Sequence, residues 1–136
     1  MDESTLDHYW YEFLHSLPPN SRYFGKAYIA EGFGDSPNLA QELGQLVVDG
    51  IKTGTCSALW EWESEGKNIP QPGLITIVLN GNGDPMCIIE TMEVFVCRYR
   101  DVDEEFAESE GEGDHSLEYW RRAHKNFFSR VLPKIG

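Results

Sequence analysis

The sequence predicts an α+β fold: a small mixed or antiparallel β-barrel flanked by several α-helices, forming one domain over residues 1–136. Three observations predict it. Apolar residues repeat at helical spacing near both ends, as Leu6, Trp10, Phe13, Leu14 and Leu17 and again as Leu117, Trp120, Phe127, Phe128 and Val131. The middle is alternating or β-branched, with Gly81-Asn82-Gly83-Asp84 lying between two such runs where a hairpin turn belongs. The 136 residues suffice for one core, since a domain of this length buries roughly two-thirds of the surface its unfolded chain exposes.

From the N-terminus, Ser4 followed by Asp7 has the pattern of a helix cap with a first-turn acid, and the apolar repeat carries that helix over residues 4–17. Pro18-Pro19 stops it. Within residues 20–35, Lys26-Ala27-Tyr28-Ile29-Ala30 suits a short strand or a helix equally. Ser36-Pro37 opens the next helix with a cap and a proline at the first helical position, and Leu39, Leu43, Leu46 and Val47 form its stripe. Gly50 stands where a helix C-terminus turns left-handed, which delivers Lys52 into a turn. Strands are expected at residues 55–62, 74–79 and 86–100, the last as one long or two bent strands. Residues 101–114 hold eight acids and no base and read as an acidic loop. Ser116 then caps a helix over residues 117–131 whose Leu117, Trp120, His124, Phe127, Phe128 and Val131 share a face.

Net charge is −12, which argues against a general polyanion binder, because such affinity rests on Lys and Arg neutralising phosphates. The charge is uneven: residues 115–136 hold five Lys or Arg against one acid, Glu118, so any cationic site is local. Cys56, Cys87 and Cys97 lie in apolar stretches without CxxC or Cys/His ligand spacing, and buried reduced thiols are expected. The start Met1-Asp2-Glu3-Ser4 lacks a basic region, and no run approaches the ~18 apolar residues that span a bilayer. A cytoplasmic protein without a membrane partner is expected.

Gly50, Lys52, Thr55 and Ser57 stand at the positions of a Gly-x-Lys-x-x-Thr-x-Arg turn, three of the four matching. Phe106-Ala107-Glu108-Ser109-Glu110-Gly111-Glu112-Gly113-Asp114, then Ser116-Leu117 and Trp120-Arg121-x-x-His124-x-x-Phe127-Phe128, supply a second match. Together they resemble the ASCH (activating signal cointegrator homology) family, in particular its longer bacterial members, over roughly residues 25–132. The resemblance implies a β-barrel similar to the RNA-binding PUA fold. Longer members continue past the Phe-Phe helix into a final strand, so the end at residues 132–136 implies either a truncation or a barrel that closes differently.

A lysine on a tight turn at a barrel mouth loses water, which lowers its pKa and suits it to act as a base. Thr55, three residues on, could then be activated as a nucleophile. By resemblance to small bacterial members that hydrolyse acylated cytidine nucleosides, Lys52, Thr55 and Glu110 match base, nucleophile and acid. The plainer alternative is a lysine favoured by the helix dipole beside an ordinary strand-start threonine. Arg121, Arg122, Lys125 and Arg130 could line a groove with Trp60, Trp62 or Tyr119 as stacking faces, with Ser129 as a phosphate contact. Ser57, at the missing arginine, joins this binding set. His124 is expected to pack with one satisfied ring nitrogen.

Two functions from different classes follow. One is an RNA-binding domain holding single-stranded RNA in a cleft between barrel and helices, with ribonuclease activity as an extension that would admit Mg²⁺ at the acidic series. The other is an amidohydrolase of an acylated cytidine-type nucleoside, and a non-catalytic reader of a modified base is a third. The resemblance leans toward RNA.

Overall fold

In chain order the computed structural model, which describes residues 3–66 and 69–134, contains α1 (Glu3–His15), β1 (Ile29–Glu31), α2 (Pro37–Val48), α3 (Leu59–Ser64), β2 (Ile75–Leu79), β3 (Pro85–Glu90), α4 (Glu104–Glu110) and α5 (Leu117–Val131). Short 3-10 turns lie at Tyr99–Asp101 and Leu132–Lys134. The chain forms two internally packed units. A sheet unit comprises Met1–Gly44 with Gly73–Met92, and a helical unit comprises Gln45–Pro72 with Glu93–Gly136. Among the described residues, no helix is long and apolar enough to cross a membrane.

The sheet unit is built on Ile75-Thr76-Ile77-Val78-Leu79, a β-branched run suited to a strand covered on both faces. It takes the centre of the order β1-β2-β3, parallel to β1 through Ala30 opposite Ile77 and antiparallel to β3 through Ile77 opposite Ile88. On one face Leu6, Trp10, Phe13 and Leu14 of α1 pack against Ile75 and Ile77. Ile77 is wholly withdrawn from water, and a buried aliphatic side chain of this size contributes roughly 1.5–3 kcal/mol. Gly44 of α2 leaves room for Met86, whose Sδ would lie 2.5 Å from an added Cβ, with Val78 close behind. Asn80 closes the expected hairpin, its Oδ1 accepting from the backbone N–H groups of Asn82 and Asp84 at 2.8 and 3.0 Å.

Several expectations are corrected. The described strands form an open three-stranded sheet, not a closed barrel. Residues 55–62 do not form a strand: an extended stretch leads into α3, where Glu65 donates its N–H to the Glu61 carbonyl at 3.2 Å. Apolar alternation over so few residues matches a short helix as well as a strand, and local i to i+4 bonds decided it. The long strand ends at Glu90, and Met92, Phe95 and Val96 beyond it are exposed, as is Cys97, which was expected buried. The acidic loop is half helix: Asp103 Oδ1 accepts from Phe106 N–H at 2.9 Å and starts α4, which Gly111 ends in the left-handed region at φ 67°. α1 is described from Glu3, so Ser4, the expected cap, lies inside it. Ser36 and Ser116 cap α2 and α5 as expected, accepting from Leu39 and Tyr119 N–H groups.

Candidate functional site

The lysine turn is built by the end of α2. Gly50 takes φ 76°, its N–H donates to the Val47 carbonyl, and the N–H groups of Ile51 and Lys52 both reach the Leu46 carbonyl at 3.0 Å. The next residues dock on the end of α4: Thr53 and Gly54 donate to the Ser109 carbonyl at 2.6 and 2.8 Å. Two glycines permit the approach. A Cβ on Gly111 would meet the Ile51 carbonyl oxygen at 2.6 Å, and one on Gly54 would meet Ser109 Oγ at 2.2 Å.

This docking sets Lys52 against the carboxylates at and just past the end of α4. Lys52 is 5% exposed, and its Nζ donates to Glu110 Oε1 at 2.9 Å and Glu112 Oε2 at 3.0 Å. Glu110 is 2% exposed, and its other oxygen accepts from Trp120 Nε1 at 2.5 Å and faces His124 Nε2 at 3.5 Å. The His124 ring stacks on Trp120 with centroids 4.2 Å apart, and its Nδ1–H donates to the Trp120 carbonyl at 2.8 Å. Every charge in this interior is therefore paired, as burial demands.

The electrostatics follow. Burial by itself would raise the Glu110 carboxyl, but the His124 hydrogen bond, the Lys52 charge and the Trp120 N–H outweigh it and hold the group at about 2. Burial lowers His124, yet the hydrogen bond and charge of Glu110 and the Trp120 carbonyl raise it overall. Cys56 Sγ completes the cluster, and burial, then the Glu110 charge, pushes its thiol far up. The arrangement is thus Lys52 ion-paired to two carboxylates, an imidazole whose hold on its proton Glu110 strengthens, and a thiol that burial keeps neutral.

The expected catalytic trio is brought together only in part. Lys52 and Glu110 meet, but as an ion pair, and an ionised Glu110 is not placed as a proton donor. Thr55 is exposed, whereas Lys52 is buried. Ser57 Oγ accepts from Trp62 Nε1 at 2.7 Å. Trp60, Lys125 and Ser129 do come together, lining with Tyr99, Phe128, Leu132 and Pro133 an open groove of about 550 Å³. Trp60 is 66% exposed, and Tyr99 is held in place by a hydrogen bond from its hydroxyl to the Arg121 carbonyl at 2.5 Å. Arg121 and Arg122 are exposed on α5, outside that lining; Arg121 donates to the Arg100 carbonyl at 3.3 Å and Arg122 lies over the Tyr119 ring at 5.8 Å.

Sequence reasoning missed Glu112, Trp120 and Cys56 as partners of this cluster, and placed His124 in packing alone. The spacing Glu110, Glu112, Trp120, His124 carries no motif that points to Lys52. Within the acidic series Asp103 caps α4, Glu110 and Glu112 face Lys52, and Asp114 accepts from Ser116 N–H at 2.9 Å, while Glu104, Glu105 and Glu108 are exposed. Among the described residues, the one group of three possible ligands is Cys56, Glu110 and His124.

An α+β chain with a glycine-framed lysine turn docked against an acidic helix defines a class, and comparison with known proteins gives its family. A family model described as ASCH domain matches residues 29–136, and the chain belongs to the ASCH domain family. It is similar to the crystal structure of an ASCH domain from Lactobacillus crispatus, with 35% identity over 98% of this chain and 84% of that one, at a TM-score of 0.91. It is also similar to a protein of known structure from Enterococcus faecalis, with 34% identity over 96% of this chain and 77% of that one, at a TM-score of 0.80. No curated protein matches the chain.

Proposed function

We propose that the chain binds single-stranded RNA along the groove of its helical unit, with bases stacked on Trp60 and Tyr99 and a phosphate met by Lys125. The observation that carries this reading is Trp60, 66% exposed at the edge of an open aromatic groove that also presents an ammonium and the Ser129 hydroxyl. Stacking faces beside cations are what a flexible strand needs, because every base offers a π-face while the phosphates require local positive charge. Arg121, Arg122 and Arg130 add exposed charge to the same helix in a chain whose net charge is −12. Lys52 serves this reading as an internal clamp between the turn and α4, not as a phosphate contact.

An amidohydrolase would need Glu110 to deliver a proton and Lys52 to accept one, and the mutual ion pair opposes both. The experiment is fluorescence anisotropy with a labelled single-stranded oligoribonucleotide over a salt series. Two or three phosphate contacts give a log–log salt slope of about −1.5 to −2. Absence of binding at low salt, or binding that ignores salt, removes the proposal.

A further inference from the structure

We propose that Cys56, Glu110 and His124 form a binding site for a borderline-soft divalent ion of the Zn²⁺ type, with the fourth position left to water. The three side chains come from the stretch after the lysine turn, the C-terminal end of α4, and α5, and their ligand atoms all lie within 4.8 Å of one another. A tetrahedral ion with metal–nitrogen and metal–oxygen bonds near 2.0–2.1 Å and a metal–sulfur bond near 2.3 Å sets ligand atoms roughly 3.3–3.6 Å apart. His124 Nε2 and Glu110 Oε2 are already 3.5 Å apart, long for a charged N–H···O bond and right for one edge of such a tetrahedron. Cys56 Sγ, within 4.8 Å of both, closes in to form the third corner when the ion binds.

Second-sphere contacts match this use. His124 gives its Nδ1–H to the Trp120 carbonyl, the arrangement that fixes the tautomer of a ligating imidazole and directs Nε2 at the ion. Glu110 is oriented through both oxygens, by Lys52 on one and Trp120 on the other, and Oε2 is the oxygen that His124 faces. Charge also closes in the bound state: with the thiol proton released and the imidazole neutral, a divalent ion and Lys52 balance the thiolate, Glu110 and Glu112, so no uncompensated charge is left inside. A thiolate, an imidazole and one carboxylate select Zn²⁺ or Co²⁺ over Mg²⁺, which takes oxygen ligands.

The test is titration of the whole chain with Co²⁺, followed by Zn²⁺ competition against a chromophoric chelator. One equivalent should give a thiolate-to-cobalt charge-transfer band with intense tetrahedral ligand-field bands. Cys56→Ala and His124→Gln should each abolish the band and weaken Zn²⁺ binding by at least the ~100-fold that loss of an outer-sphere partner can cost. Cys97→Ser, at an exposed thiol, should leave both unchanged. Absence of the band in the native chain, its survival in Cys56→Ala, or its loss in Cys97→Ser overturns the proposal. Should the Cys56 variant not fold, alkylation of the native chain decides: Zn²⁺ must slow modification of Cys56 and not of Cys97, and equal rates overturn the site.

Discussion

Lys52 Nζ lies 2.9 Å from Glu110 Oε1 with both side chains almost wholly withdrawn from solvent, so each residue is the condition for burying the other. Removing one partner of such a pair costs about 3–5 kcal/mol, since the remaining charge keeps its desolvation penalty. Lys52→Met is therefore expected to lower the unfolding free energy in urea by that amount. Lys52→Met combined with Glu110→Gln should lose less than the two single changes added together.

Stability should also depend on pH on two sides. Glu110 is held at about 2 when folded, against roughly 4.3 for an unfolded glutamate, so its contribution is present above the unfolded value and lost as pH falls toward 2. His124 is raised, so its contribution is present below the unfolded value near ~6.5 and lost as pH rises through the higher folded one. Urea midpoints across pH should peak between these limits. Glu110→Gln should flatten both limbs, and His124→Gln chiefly the alkaline one.

For the groove, Trp60→Ala is expected to weaken single-stranded RNA binding by ~1–3 kcal/mol, roughly 5- to 150-fold, with the salt slope unchanged. Lys125→Gln should instead reduce the slope by about 0.7. Anisotropy titrations at several salt concentrations separate the two effects.

Two glycines frame the lysine turn and should respond differently to alanine. Gly50 at φ 76° has nothing within 4 Å of an added Cβ, so Gly50→Ala carries only left-handed strain, about 1–2 kcal/mol. Gly111 at φ 67° adds a 2.6 Å clash with the Ile51 backbone oxygen, which cannot yield without undocking the turn. Gly111→Ala should be clearly the more destabilising in urea.

Much of the framework was legible in advance, at positions where a few neighbouring residues decide. Ser36-Pro37 and Ser116 start α2 and α5, and Gly81-Asn82-Gly83-Asp84 turns the hairpin, because caps and tight turns are satisfied within two or three residues. Asp103 does the same for α4, but its cap was hidden inside a run of acids read only for charge. The open sheet and the fate of residues 55–62 were not legible, since whether an alternating segment becomes a strand depends on an edge to pair with.

The sequence alone therefore determined the family-like turn that presents Lys52, through Gly50 and the end of α2. Only the tertiary structure decided what Lys52 meets. Glu110 lies 58 residues away, and the contact exists because Gly54 and Gly111 let two backbones approach until the Ser109 carbonyl takes both N–H groups of the turn. The same docking puts Glu110 beside Cys56 and His124, turning a lysine expected as a free base into the cation of a buried ion-paired centre.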